Sequence, residues 1–255
     1  MTAARCLRAD PAGNVTLLVL SPVEAADRPR AAVELLRRYG GEQAGFLAAP
    51  RLGGLARLEM MGGEFCGNAL RCLGLWYVRS HPELAGRAVP MEISGCGHPL
   101  AVTADPVTGT VSARMPLPLA LETWHDLPTA VLPGIVHALC AEAPADEARA
   151  RALTRALVRD YAAPAAGVMF LSGDRMRPAV YVAETDTLYF ESSCASGSAA
   201  AAALLSAREK KSARYLLAQP GGDIAARAQW EAGVLTALTI CGQVAMGEPF
   251  DAEWN

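Results

Sequence analysis

Cys66-Gly67-Asn68-Ala69-Leu70-Arg71-Cys72 and Cys194-Ala195-Ser196-Gly197-Ser198, one in each half of the chain, decide how this sequence reads. Each sets a thiol in a turn of small residues that leads into a helix-forming run. The first N–H groups of a helix have no carbonyl partner within it, so the local field favours thiolate over thiol and favours a bound carboxylate. Two such turns predict two facing acid/base thiols. That is the equipment for taking a proton from one face of a stereocentre and returning one to the other.

Outward from the first turn, residues 68–79 are apolar almost all round, through Leu70, Cys72, Leu73, Leu75, Trp76, Tyr77 and Val78, a pattern that predicts a helix enclosed by protein. The run Ser198 to Leu205 beyond the second turn is nearly all alanine, and small side chains let a sheet wrap a helix closely. Strand-length apolar runs bounded by Gly, Pro or polar residues lie at 15–20, 45–49, 55–60, 168–171, 179–182 and 187–190. Residues 31–38 suit an amphipathic surface helix. Pro220-Gly221-Gly222-Asp223 predicts a turn between strands at 213–218 and 224–230, with another strand at 234–240. The economical organisation is two similar halves, each a sheet around one apolar helix. Residues 1–115 make the first, with 244–255 returning to it, and 116–243 the second, the chain crossing at Met115-Pro116-Leu117-Pro118.

A chain of 255 residues, 52% apolar and 19% charged, is expected to be soluble and globular. A formal charge of −3 without a basic stripe argues against nucleic acid or an anionic membrane as partner and for a small-molecule ligand. The first ten residues hold no apolar run of signal-peptide length, and the seven cysteines lack the spacing of a secreted disulfide framework, so reduced thiols and a cytoplasmic location are expected. No CxxC pair and no HxxxH spacing among His81, His98, His125 and His137 suggests a metal. The ordinary role of a cysteine is that of a small core hydrophobe, which fits Cys72 inside the enclosed helix. Cys96-Gly97-His98 pairs two ligand types, but Pro99 leads into a strand-like run and no helix follows.

Residues 66–72 resemble the Cys-Gly-Asn-Gly-x-Arg-Cys signature of the diaminopimelate epimerases, with Ala69 for the second Gly, and 194–198 resemble that family's second Cys-Gly-Thr-Gly turn. The resemblance runs the length of the chain: Ala12-Gly13-Asn14 is similar to the family's N-terminal substrate turn, Gly41-Glu42-Gln43 to its Gln-containing loop, and Pro220-Gly221-Gly222-Asp223 to its late hairpin. It implies a fold of two pseudo-symmetric α/β halves, each a curved, mostly antiparallel sheet around a central helix, closing on a cleft. It also implies catalysis without a cofactor, one thiolate taking the α-proton while the opposite thiol donates one, and so assigns Cys66 and Cys194 as the pair. Asn14, Gln43, the backbone at Gly67, Asn68, Ala195 and Ser196, and His137 become candidate substrate contacts by the same match.

The departures bear on the substrate. The epimerases carry a Glu-Arg pair several residues before the second Cys, whereas here Tyr189-Phe190-Glu191 runs almost directly into Ser192-Ser193-Cys194 and the Arg is gone. The family's Asn-Pro-His turn becomes Gly134-Ile135-Val136-His137. Met61-Gly62-Gly63-Glu64-Phe65-Cys66 and Glu191-Ser192-Ser193-Cys194 instead resemble the epimerase-related histidine racemases of opine-metallophore (staphylopine-type) pathways, which implies L-histidine as substrate and D-histidine for metallophore assembly as product. Glu64 and Glu191, beside the thiols, are candidates to bind an amino group or imidazole. A diaminopimelate epimerase of lysine and cell-wall synthesis and a non-catalytic ligand-binding relative stay open as alternatives, and a homodimer is one assembly open to the chain.

Overall fold

The computed structural model describes residues 2–142 and 146–254. The fold is mixed α/β, and the chain divides into two compact units, Met1–Ala113 with Cys241–Asn255, and Arg114–Ile240.

The first unit runs β1 (Thr2–Asp10), β2 (Thr16–Val19), α1 (Arg28–Tyr39), β3 (Gln43–Ala48), β4 (Ala56–Met60), α2 (Gly67–Ser80), β5 (Val89–Ile93), β6 (Leu100–Ala104) and β7 (Thr110–Met115). β1 pairs antiparallel with β2, and the β2–β3 and β4–β5 pairs are parallel because a helix or a helical connection separates their strands. The remaining neighbours, β3–β4, β5–β6 and β6–β7, are antiparallel. α2 packs on β2, β4, β5 and β6. Its residues 67–75 and Val78 are buried, so the all-round apolar pattern does mark an enclosed helix. Fully burying Leu70, Leu73 and Leu75 contributes about 1.5–3 kcal/mol apiece.

The second unit continues with β8 (Ala120–Trp124), β9 (Leu127–Leu132), β10 (Ile135–Cys140), α3 (Glu147–Tyr161), β11 (Ala165–Ser172), β12 (Arg175–Val182), β13 (Thr187–Phe190), α4 (Ala195–Ala207), β14 (Ala213–Gln219), β15 (Gly222–Glu231) and β16 (Val234–Gln243). α4 packs on β8, β9, β10, β11, β14 and β15, and its run Ala199–Ala203 is 0–1% exposed. α3 covers β10, β11 and β12 and buries Ala150 and Leu157 against Val136, Val168 and Phe170. The last strands, β17 (Ala245–Met246) and β18 (Phe250–Trp254), return to the first unit and pair antiparallel with β1. No helix among the described residues is long and apolar enough to cross a membrane.

Each strand and helix read from the sequence is present, with ends shifted by a few residues. β1, β5, β7 to β10, α3, β17 and β18 carry no strand or helix reading in the sequence analysis. One placement changes meaning: His137 lies inside strand β10, three residues past the Pro133-Gly134 turn, and is fully buried.

Candidate active site

Cys66 and Cys194 are the N-cap residues of α2 and α4. Both have extended backbone, and both use sulfur as the capping acceptor: Ala69 N–H donates to Cys66 Sγ at 3.4 Å and Gly197 N–H to Cys194 Sγ at 3.3 Å. Each carbonyl also takes the first helical bond, from Leu70 and Ser198 respectively, at 3.0 Å. The small residues that follow each thiol therefore bring its sulfur onto the positive end of a helix.

The loop before Cys66 is pinned from below. Ser94 Oγ donates to the Glu64 carbonyl at 2.8 Å and accepts from Met60 N–H at 2.9 Å, and Gly95 packs directly on the Glu64–Phe65 backbone. Glu64 itself is exposed, its carboxylate accepting from Gly62 N–H at 2.9 Å. Beside the head of α2 the structure gathers Asn14, Gln43 and Asn68. Gln43 Nε2 and Asn68 Nδ2 donate to Asn14 Oδ1 at 2.8 and 3.1 Å, and Asn14 Nδ2 donates to Glu42 at 2.7 Å. Arg71 Nη2 closes the chain by donating to Asn68 Oδ1 at 2.7 Å.

Around the second thiol, Ser196 Oγ lies 3.5 Å from Cys194 Sγ and 2.9 Å from His137 Nε2, making a chain from thiol to hydroxyl to imidazole within one unit. Gln219, unremarked in the sequence, clamps the turn: its Oε1 accepts from Cys194 N–H at 2.8 Å and its Nε2 donates to Ser198 Oγ at 3.0 Å. Glu191 follows directly on β13 and acts on the thiol electrostatically.

Here one expectation is overturned. Burial, and then the Glu191 carboxylate, push the Cys194 thiol well above its ordinary range, and these outweigh the opposing pull of the Ser196 hydroxyl and Gly197 N–H. Cys194 is 5% exposed, so desolvation of an anion defeats the helix field, and this residue rests as a thiol. Cys72 is likewise a core thiol, pushed up to about 12 by burial. Cys96, half-buried, has its sulfur 3.9 Å from His98 Nδ1, and among the described residues no three His, Cys, Asp or Glu side chains gather as a metal site.

Burial lowers the pKa of His137 from 6.5 to about 4, with a loose contact to the Gly167 backbone pulling weakly the other way. The imidazole is therefore neutral at pH 7. As pH falls from 6.5 toward 4 the unfolded chain takes up a proton that the folded one refuses, so stability present above pH 6.5 is lost across that window. The loss reaches about 3 kcal/mol in order of magnitude. His137→Gln is expected to flatten the decline in melting temperature between those two pH values, and an unchanged decline in calorimetric melts counts against the assignment.

Residues 5–248 match the family described as the histidine racemase CntK N-terminal domain. A histidine racemase of Fusobacterium nucleatum subsp. nucleatum is 29% identical over 234 residues, which span 85% of this chain and 86% of that protein. A histidine racemase of Staphylococcus aureus (strain Mu50) is 24% identical over 235 residues, 84% and 85% of the two chains. In fold, the chain is similar to a hydroxyproline epimerase from Agrobacterium vitis with trans-4-hydroxy-L-proline bound, with a TM-score of 0.67 at 14% identity, over 98% of this chain and 92% of that one.

Proposed function

This chain belongs to the histidine racemase family, and we propose that it interconverts L- and D-histidine without a cofactor, through Cys66 and Cys194 as a two-thiol acid/base pair. The activity is that of an isomerase. The observation that carries the cysteine assignment is the matched geometry of the two thiols, each the cap of a buried helix in its own unit.

In this reading the halves, 1–115 with 244–255 and 116–243, are pseudo-symmetric, and each supplies one thiol to the reaction. The first-turn N–H groups at Gly67, Asn68, Ala195 and Ser196 receive the α-carboxylate, as helix N-termini receive anions generally. An amino-acid α-proton is far less acidic than a thiol, so carboxylate neutralisation and exclusion of water must together lower the barrier. In one direction the Cys66 thiolate takes the α-proton, and the electron pair left on the α-carbon is spread into the carboxylate. The Cys194 thiol then donates its proton to the opposite face, which leaves Cys66 as thiol and Cys194 as thiolate. The Ser196 hydroxyl stands beside that new anion to donate to it, and neutral His137 behind it holds the hydroxyl through its Nε2 hydrogen bond. Asn14, Gln43 and Asn68, gathered beside the head of α2, are further substrate contacts, with Glu64 and Glu191 available to the amino group or imidazole.

The side-chain preference follows from charge. Only Glu191, Ser192 and Ser193 stand between β13 and Cys194, leaving no arginine there to meet a distal carboxylate, and an unpaired buried charge costs several kcal/mol. An imidazole is mostly neutral near pH 7 and hydrogen-bonds to a carboxylate or backbone group. Incubation in D₂O with L-histidine and with LL-diaminopimelate, read by chiral chromatography and mass spectrometry, tests this. The expected result is deuterated D-histidine, formed with a kcat/KM at least about tenfold above that for diaminopimelate, a discrimination of about 1.4 kcal/mol. Efficient diaminopimelate epimerisation with no D-histidine would return the chain to lysine and cell-wall synthesis. D-Histidine supply to metallophore assembly in the cytoplasm is the role this activity fits.

A further inference from the structure

Arg71 is the largest fully buried side chain among the described residues, at 0% exposure. A guanidinium does not lose its proton in a protein, so its charge is carried into the interior. Nη2 donates to Asn68 Oδ1 at 2.7 Å and to the Pro11 carbonyl at 3.2 Å, while Nε and Nη1 have no hydrogen-bond partner. No carboxylate forms an ion pair with it among the described residues. The ionisable groups acting on it are three thiols, Cys72 of α2 first, then Cys241 of β16 and then Cys66 at the cap of α2, and Asp10 of β1 acts in turn on Cys72. A buried cation left without an anion is among the costlier arrangements a protein can hold. Cys72, pushed up to about 12, does not supply that anion near neutral pH. Cys66 is half-buried rather than sealed in the core, and its sulfur already sits on the helix N-terminus, where negative charge is favoured.

We propose that Arg71 is a positioning residue that places a fixed positive charge behind Cys66 and biases that sulfur toward thiolate, so that the two half-reactions start from unlike cysteines. The same guanidinium occupies Asn68 Oδ1, which turns Asn68 Nδ2 toward Asn14 Oδ1 and thereby commits Asn14 Nδ2 to Glu42. One buried cation thus orients the amides at the head of α2 as well as charging its cap. The proposal rests on the two-thiol reading, and it accounts for an arginine where the surrounding helix is otherwise apolar. Cys194 has no such cation in its helix, where Ala199 stands five residues on, and has the Glu191 carboxylate acting on it instead, so the resting enzyme carries one thiolate and one thiol.

The test reads the cysteines without turnover. The full-length wild type, Arg71→Lys and Arg71→Met are alkylated with iodoacetamide across a pH series, and labelling at Cys66, Cys194 and Cys241 is followed by peptide mass mapping. In the wild type, Cys66 is expected to label with a midpoint below the ordinary thiol value of about 8.5. Arg71→Met is expected to raise that midpoint by about one unit or more and to slow labelling at pH 7 about tenfold, with Arg71→Lys restoring most of both. A wild-type Cys66 midpoint at or above about 8.5, or a low midpoint at Cys241 in its place, overturns the proposal even if Arg71→Met fails to fold. An unmoved Cys66 midpoint in folded Arg71→Met overturns it as well. Full racemisation by Cys66→Ser would instead sink the two-thiol reading, and that result is separate from the labelling data.

Discussion

Cys66→Ser and Cys194→Ser are each expected to lower histidine racemisation at least about a thousandfold while each keeps its helix cap, and Cys194→Ser also keeps the wild-type melting temperature. The two halves of that expectation come from one feature. Each sulfur caps its helix by accepting an N–H three residues on, at 3.4 and 3.3 Å, and serine is a preferred residue for that position. The substitution therefore keeps the cap and removes only the acidity. A serine hydroxyl yields almost no alkoxide near neutral pH, so Cys66→Ser lacks its base, and Cys194→Ser lacks a donor of matched acidity. One-sided exchange of the α-proton in D₂O is expected to survive at the intact thiol. Chiral chromatography beside thermal melts checks this, and turnover within tenfold of wild type by either variant would reject the paired-thiol mechanism.

Gly95→Ala is expected to have the largest effect of any single added methyl group near the site. Gly95 has φ +71°, a region that favours glycine, and a Cβ there would lie 2.3 Å from Phe65 N and 2.8 Å from the Glu64 carbonyl carbon. Those are backbone atoms of the loop that ends at Cys66, so no rotamer change relieves the collision. Either the turn or the loop must move, breaking the Ser94 bonds to Met60 and Glu64. A destabilisation of about 3 kcal/mol or more is expected in urea denaturation, with a further loss of kcat in the protein that stays folded. Gly97→Ala, two residues on and with nothing within 4 Å of its Cβ, is expected to change stability by about 0.5 kcal/mol at most. Equal behaviour of the two variants would show that the turn does not hold the Cys66 loop.

The caps at Cys66 and Cys194 were legible because a helix start is a local event, written in consecutive small residues. The enclosed helices were legible for a related reason, since apolar or alanine-rich faces all round leave no side for water. β1 was not. Its residues, Thr2 to Asp10, mix alanine, arginine, Cys6 and Leu7 without a clear alternation, and it is a strand because β2 and the distant β18 pair with its two edges. α3 escaped for want of contrast of another kind, its buried stripe being Ala150, Thr154 and Leu157, although Asp146 capping Arg149 N–H at 2.7 Å is a local signal that could have found it. His137 looked like a turn residue because its match lay in a turn, and only the strand pairing of β10 with β9 and β11 buries it. The thiolate expectation at Cys194 failed because the field of a helix end is a property of sequence neighbours, whereas desolvation depends on everything packed above them. Arg71 stood in plain sight within the quoted motif, but its lack of an acidic partner belongs to three dimensions.

The alanine run of α4 sets how firmly one thiol is held. A side chain that ends at Cβ has no rotamers, so Ala199 to Ala203 lose no side-chain entropy on folding and have no alternative arrangement to visit afterwards. Alanine is also the strongest helix former, which stiffens the backbone between one end of the run and the other. Thermal motion in a core of leucines and methionines includes hops between rotamers, each shifting its neighbours. The stretch Ala199–Ala203 adds no such hops of its own between the body of the helix and the sulfur at its head.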